Sequence, residues 1–319
     1  MKVSVCVITY NHERFIAQAL DSALMQTGVE FELVVGEDCS TDGTRAILLE
    51  YRRRYPDKLR LLLPEQNLGM LRNFTETIQA CHGQYVALLE GDDYWTDPQK
   101  LRKQVSFLDA RPDCVLCFHT VAELEEGQAQ PSRNYPPDGQ RKALYTVEDL
   151  LVLNPMHTCS VVFRGGLVPH FPDWFYQLRL GDWTLHLLNT QYGHAGYLRE
   201  CMAVYRLHSG GEWSTVSQLR RAQAIMRMLG YFDYHTHGQY RRSVQRSFSR
   251  LYYNLASEFF RLGDEEHGRR YALRRLTLHP LNGDQSDRHV VLTLLMLAMP
   301  RLYRRVKQIR NRLPDQHAS

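Results

Sequence analysis

The sequence predicts an α/β protein: a mostly parallel sheet with flanking helices, followed by a smaller α-helical region. Three observations carry this. Short apolar runs near residues 2–9, 31–36, 59–63 and 85–89 alternate with segments of helical periodicity, the pattern of parallel strands buried on both faces. Each run stops among turn-forming or acidic residues. Beyond Thr215 the strand signals give way to helical ones.

The 319 residues allow one large domain or a domain plus an appendage. Charge is divided unevenly. Residues 216–319 hold 19 Lys+Arg against 8 Asp+Glu, whereas residues 1–215 hold 20 against 27. This asymmetry predicts two parts, 1–215 and 216–319, with different partners. Residues 1–9 lack the charged start, long apolar core and cleavage site of a signal peptide. No run reaches the ~18 apolar residues of a spanning helix. The seven scattered cysteines read as reduced core residues, and a cytoplasmic protein is expected.

Taken in order, residues 2–9 form the first strand, and Asn11 is placed to cap the next helix, where Phe15, Ile16, Ala19, Leu20, Ala23 and Leu24 share a face. The second strand runs into Glu37-Asp38-Cys39-Ser40-Thr41-Asp42-Gly43-Thr44, a loop leading to a helix that Pro56 ends. A third strand, the turn Asn67-Leu68-Gly69 and a helix over 70–81 follow. Then comes Tyr85-Val86-Ala87-Leu88-Leu89-Glu90-Gly91-Asp92-Asp93, a buried strand ending in carboxylates. A helix is expected over 98–110, a strand over 115–121 and a long polar loop over 122–142. Thr146-x-x-Asp149 is a capping box. A strand is expected over 158–163, a helix after Asp182, and one or two short strands over 195–206. The stretch 205–214 is too glycine-rich and polar for the interior of an element. Residues 251–280 form one helical hairpin, and 290–312 an apolar then basic tail ending in Arg301, Arg304, Arg305, Lys307, Arg310 and Arg312. That tail either packs as a last helix or makes peripheral contact with an anionic membrane.

In open α/β sheets ligands bind outside the carboxyl ends of the strands. Glu90, Asp92 and Asp93 repel one another there, and a hard divalent cation relieves this: Mg²⁺ or Mn²⁺ takes oxygen ligands from carboxylates and substrate phosphates.

Val5-Cys6-Val7-Ile8-Thr9-Tyr10-Asn11, the 37–44 loop, Asn67-x-Gly69 and Glu90-Gly91-Asp92-Asp93, in this order, resemble the motifs of glycosyltransferase family 2 over roughly residues 1–215. The resemblance implies the GT-A fold, Rossmann-like in layout, and an inverting, metal-dependent transfer from a UDP-sugar to a carbohydrate or glycolipid acceptor. It implies donor-nucleotide contacts at Thr9, Tyr10, Asn11, Asp38, Arg72, Glu90 and Asp92, with Asp38 accepting from the uracil N3–H. It further implies Mn²⁺ or Mg²⁺ on Asp92, Asp93 and His208, and Asp182 as general base. Glu37 stands where the family has an aspartate, which leaves open which acid meets the base. His119 and His157 read as structural. Trp95, Trp183 and Trp213 lie beside the site in sequence and either face a sugar or fill core. A nucleotidyltransferase would want a glycine- and lysine-rich loop after the first strand, and Thr9-Tyr10-Asn11-His12 is not one. The other alternative is a nucleotide-sugar-binding scaffold without turnover. No specific nucleic acid is expected as a partner.

Overall fold

A computed structural model describes residues 1–211, 216–278, 287–300 and 303. The chain divides into two compact units, Met1–Thr215 and Val216–Ser319. Trp213, Pro280 and the six basic residues of the tail lie outside the described residues.

The first unit opens with β1 (Val3–Thr9), α1 (Ile16–Leu24), β2 (Phe31–Glu37), α2 (Thr44–Arg54), β3 (Leu59–Leu62), α3 (Met70–Gln79) and β4 (Tyr85–Glu90). It continues with β5 (Tyr94–Trp95), α4 (Lys100–Ala110), β6 (Cys114–Glu125), β7 (Arg133–Tyr135), β8 (Leu144–Tyr145), α5 (Val147–Val152), β9 (Val162–Arg164), α6 (Gly181–Thr190) and β10 (His194–Leu207). The sheet order is β3-β2-β1-β4-β9-β6-β10-β5, with β7 on β6 and β8 on β10. Strands β1 to β4 pair in parallel, as do β6 and β10, while β9, β5, β7 and β8 run antiparallel to their neighbours.

The chain leaves β1 toward β2 and β3, then returns to β1's other side as β4. The β1/β4 pair is therefore a switch point, where the loops beyond two adjacent strands diverge and leave a crevice. Apolar residues of β1, β2 and β4, among them Val5, Val7, Leu33, Val35, Ala87 and Leu89, form the core beneath it. Ser4 is the polar exception. Its hydroxyl donates to Glu32 Oε1 at 2.6 Å and accepts the Gly83 N–H at 2.8 Å, so its burial costs little.

Several elements differ from expectation. Asn11 does not cap α1; it adopts a left-handed φ of 55°, and its Oδ1 accepts the Thr41 N–H at 2.8 Å, tying the first loop to the second. The helix after Pro98 starts only at Lys100. The expected polar loop is partly sheet: β6 runs on to Glu125, and β7 folds back with Arg133 opposite Glu123. Residues 158–160 form a 3₁₀ turn, and the strand there is only Val162–Arg164. β10 is one long strand that takes in Tyr205, Arg206 and Leu207. Its midpoint, Arg199 to Cys201, is exposed where its register with β6 shifts; polar residues at a bulge resemble a loop in sequence. The capping box is present, with Thr146 Oγ1 accepting from Asp149 N and Asp149 accepting from Thr146 N. The seven cysteines are free, and Cys6, Cys114, Cys117 and Cys159 are buried.

The second unit has α7 (Gln218–His235), α8 (Arg241–Leu262), α9 (Glu265–Leu278) and α10 (Asp287–Ala298). Gly263, at φ 86°, ends α8, and the Asp264 N–H returns to the Phe259 carbonyl at 2.9 Å. In the α8–α9 hairpin Tyr271 stacks on Tyr252 and Phe259. Ala256, Phe260, Ala272, Met296 and Tyr303 form a small core. Among the described residues no helix is long and apolar enough to cross a membrane.

Candidate active site

The acids ending β4 stand at the crevice. Gly91 lets them approach β1: a Cβ there would lie 2.5 Å from Thr9 Oγ1 and 2.9 Å from His12 Nδ1, so a side chain at this position would displace the side chains of Thr9 and His12. Ligand atoms of Glu90, Asp92 and Asp93 lie within 4.8 Å of one another, the one such group among the described residues.

The three acids differ. Asp92 Oδ2 meets His208 Nε2 at 2.9 Å and His12 Nε2 at 3.8 Å. Burial opposes its charge, but the His208 hydrogen bond and the two imidazoles prevail and lower its pKa. Asp93 is 1% exposed. Its Oδ1 accepts the Arg206 N–H at 2.9 Å, and its Oδ2 has no hydrogen-bond partner in the protein. Burial, then the charge of Asp92, raises the Asp93 carboxyl well above the ordinary range. Glu90 is half-buried and likewise raised, first by burial and then by the charges of Asp92, Asp93 and Asp182.

That last influence places Asp182 near the same acids. Asp182 is the second residue of α6, and its Oδ2 accepts from Thr158 Oγ1 at 3.5 Å. Thr158 also hydrogen-bonds Glu90. One hydroxyl from the 158–160 turn thus stands between the β4 acids and the α6 carboxylate.

Asp38 closes the crevice on the β2 side. Its oxygens accept the N–H groups of Leu68 at 2.6 Å and Gly69 at 3.0 Å. Glu37, its neighbour, is fully buried and turned to other partners: Oε1 accepts from Ser40 N and Oε2 from Arg45 Nε, each at 2.5 Å. Thr9 lies buried at the end of β1, with Oγ1 3.2 Å from His12 Nδ1. Tyr10 is 43% exposed beside it. Arg72 is exposed on α3, its guanidinium 5.8 Å from the Tyr176 ring centroid.

Arg206 lies against the rings of Tyr94 and Phe15, at 4.5 and 5.0 Å. It donates to the Asp92 carbonyl and, at 2.5 Å, to Gln18 Oε1. Here it braces the acid loop. Trp95 and Trp183 are buried, donating to the carbonyls of Cys159 and Leu150; both are core residues in this structure. His157 is held by Glu123 Oε1 at 2.8 Å and stacks on Tyr205 at 4.0 Å. His119 is buried with Nδ1 on the Thr120 carbonyl and Nε2 without a partner.

The residues sequence reasoning passed over are His12 and Thr158. His12 stood in the quoted loop Thr9-Tyr10-Asn11-His12, and a histidine just past a strand's carboxyl end was the available signal. Thr158 has no local signal, because its partners are 24 and 68 residues away.

The sequence pattern of glycosyl transferase family 2 matches residues 4–171. An uncharacterized protein of Mycobacterium tuberculosis (strain H37Rv) is 41% identical over 220 residues, covering 69% of this chain and 62% of that protein. A Bacillus subtilis protein named as a teichuronic acid biosynthesis glycosyltransferase, TuaG, is 30% identical over 210 residues, covering 64% of this chain and 79% of that one. Among solved structures, S. aureus TarS 1–349 in complex with UDP-GlcNAc superposes with a TM-score of 0.64 at 19% identity, covering 98% of this chain and 92% of that one. The mannosyltransferase PcManGT of Pyrobaculum calidifontis, in complex with GDP-Man and Mn²⁺, gives 0.59 at 18%, covering 97% and 84%. These likenesses show the GT-A fold, and the match over residues 4–171 shows more: the chain belongs to glycosyl transferase family 2.

Proposed function

We propose that this chain is an inverting, metal-dependent glycosyltransferase that moves a sugar from a UDP-sugar to the hydroxyl of a carbohydrate or glycolipid acceptor. One observation carries the reading: Glu90, Asp92, Asp93 and Asp182 gather at the carboxyl end of β4, with Glu90 under the charge of the other three. Such a cluster suits a divalent cation and a diphosphate better than it suits water. The unpartnered Asp93 Oδ2 and the imidazole of His208 fit the same role. The UDP-GlcNAc of TarS and the Mn²⁺ of PcManGT support the choice of ligands.

Asp92, Asp93 and His208 would hold Mn²⁺ or Mg²⁺, and the ion would neutralise charge gathering on the leaving nucleoside diphosphate. Asp38 would accept from the uracil N3–H while keeping its turn, since each carboxylate oxygen has two lone pairs. Asp182, steadied by Thr158, takes the proton from the acceptor hydroxyl as that oxygen bonds to the sugar C1. The C1–O bond to the diphosphate breaks on the opposite face, and the anomeric configuration inverts.

We assign catalysis to residues 1–215 and a peripheral contact with the inner membrane face to the basic helical region. Val291 and Leu294 on α10 are 59% and 50% exposed, which suits an interfacial helix. The central test is UDP release from UDP-sugars. It should appear with Mn²⁺ and stop with EDTA; equal UDP-sugar binding with and without the ion removes the metal from the reading.

A further inference from the structure

The turn that carries Thr158 is gripped from β6 and β7. Glu123, near the end of β6, is 3% exposed. Its Oε1 accepts from His157 Nε2 at 2.8 Å, and its Oε2 accepts from Arg133 Nε on β7. Burial opposes the charge of Glu123, but these two bonds prevail and hold its carboxyl below the ordinary range. The His157 ring touches two tyrosines: it stacks on Tyr205 of β10, 4.0 Å between centroids, and meets Tyr135 of β7 at 4.6 Å. The Tyr135 hydroxyl in turn donates to the Asn154 carbonyl at 2.5 Å, just ahead of the turn.

Burying an ionised carboxylate costs free energy even when it is paired. What this one fixes is the chain at residue 157. The His157 carbonyl accepts the Ser160 N–H at 2.9 Å and the Ser160 hydroxyl at 2.7 Å, closing the 3₁₀ turn of which Thr158 is the first residue. Thr158 Oγ1 stands 3.5 Å from Asp182 Oδ2 and also hydrogen-bonds Glu90. A separation of 3.5 Å is at the limit of a hydrogen bond, so a small movement of the turn makes or loses the contact. Tyr205, which braces the His157 ring, lies beside the same acids: burial first, then the charges of Glu90, Asp93 and Asp92, raise its phenol.

We propose that Glu123 and His157 are positioning residues for the transfer step: by anchoring the 157–160 turn they set where the Thr158 hydroxyl stands against Asp182, and so how that carboxylate faces the acceptor. This rests on the reading of Asp182 as the general base. The β6–β7 hairpin then has a task in the chemistry, since it supplies the Glu123, Arg133 and Tyr135 that hold the turn. A base displaced by about 1 Å can cost on the order of 10²-fold in rate with substrate binding intact. A pair that merely held the hairpin would change stability and leave the rate alone, and a pair acting on Asp182 by another route would act independently of Thr158.

The test is a double-mutant cycle on the full chain. The readouts are kcat for UDP release with Mn²⁺, from whichever of UDP-GlcNAc, UDP-glucose and UDP-galactose wild type turns over fastest, and UDP affinity by calorimetry. His157→Phe keeps a ring against Tyr205 and removes the bond to Glu123. It should lower kcat by on the order of 10²-fold and leave UDP affinity unchanged. Thr158→Val should lower kcat as well, and His157→Phe added to it should cost nothing further, because both act through one hydroxyl. Glu123→Gln runs the same cycle from the other side should His157→Phe fail to melt cooperatively: its single carbonyl oxygen has two claimants, His157 and Arg133, and the turn loosens. Wild-type kcat in either folded variant, or losses that multiply with that of Thr158→Val, overturns the positioning role while Asp182 keeps its own. Wild type that releases UDP from none of the three donors, or Asp182→Asn as fast as wild type, overturns the reading of the base and this proposal with it.

Discussion

The carboxylate of Asp38 receives the backbone N–H of Gly69 at 3.0 Å while its other oxygen receives that of Leu68 at 2.6 Å. The residue assigned to the uracil thus also builds the turn between β3 and α3. Hydrogen bonds to a charged group contribute about 1.5–3 kcal/mol each, and Asp38 is only 2% exposed. Asp38→Ala is expected to lower stability by about 2–4 kcal/mol in urea unfolding and to weaken UDP binding. A variant that loses stability but keeps UDP affinity confines Asp38 to the turn.

Asp182→Asn keeps the shape of the side chain and removes its basicity. Transfer should fall by about 10²–10⁴, the range of general-base assistance, with UDP affinity unchanged. Calorimetry with UDP and a single-turnover transfer assay separate the two, and transfer at the wild-type rate would take the base elsewhere.

Lys100 is fully buried. Its Nζ donates to Gln104 Oε1 at 2.7 Å and lies 4.0 Å from the Trp95 ring centroid. Burial lowers its pKa to about 7, against about 10.4 in an unfolded chain. Between those values the unfolded chain binds a proton the fold does not, so stability rises with pH through the window and the full cost of the buried charge is present below pH ~7. Lys100→Met removes that cost, on the order of 3–5 kcal/mol, and leaves Gln104 Oε1 unpaired at about 1–3 kcal/mol. The variant should melt higher than wild type at pH 6, and the difference should shrink and reverse toward pH 10.

His186, one turn after Asp182 on α6, is fully buried with both ring nitrogens unpartnered. Burial lowers its pKa to about 4, against the opposing pull of Asp182. Its neutral form is accommodated without cost above pH ~6.5, and stability is lost progressively as pH falls from there to about 4, below which both states are protonated and the loss is complete. His186→Leu should flatten the acid limb of the stability profile by on the order of 3 kcal/mol, read from thermal melts between pH 7 and 4.

The first four strands and their acids were legible because parallel strands buried on both faces are continuous apolar runs, and the breaks that end them are where ligands sit. The β6–β7 hairpin was not, since Arg133 and Asn134 are exposed and carry no apolar alternation. Nor was the length of β10, interrupted by exposed Arg199 and Glu200. Trp95 and Trp183 looked equally suited to core or sugar, and only their indole donors' buried carbonyl partners place them in the core. Asn11 has the chemistry of a helix cap, but a tertiary partner, Thr41, takes its oxygen.

Gly91 has a practical consequence for anyone seeking to redirect donor choice. Its neighbours Glu90 and Asp92 offer side chains to the crevice, but residue 91 has Thr9 and His12 against the place a β-carbon would fill. Libraries that randomise 90 to 93 together will be dominated by misshapen clones. With 91 fixed as glycine and its neighbours committed to the acid cluster, variation aimed at new sugars belongs outside residues 90–93.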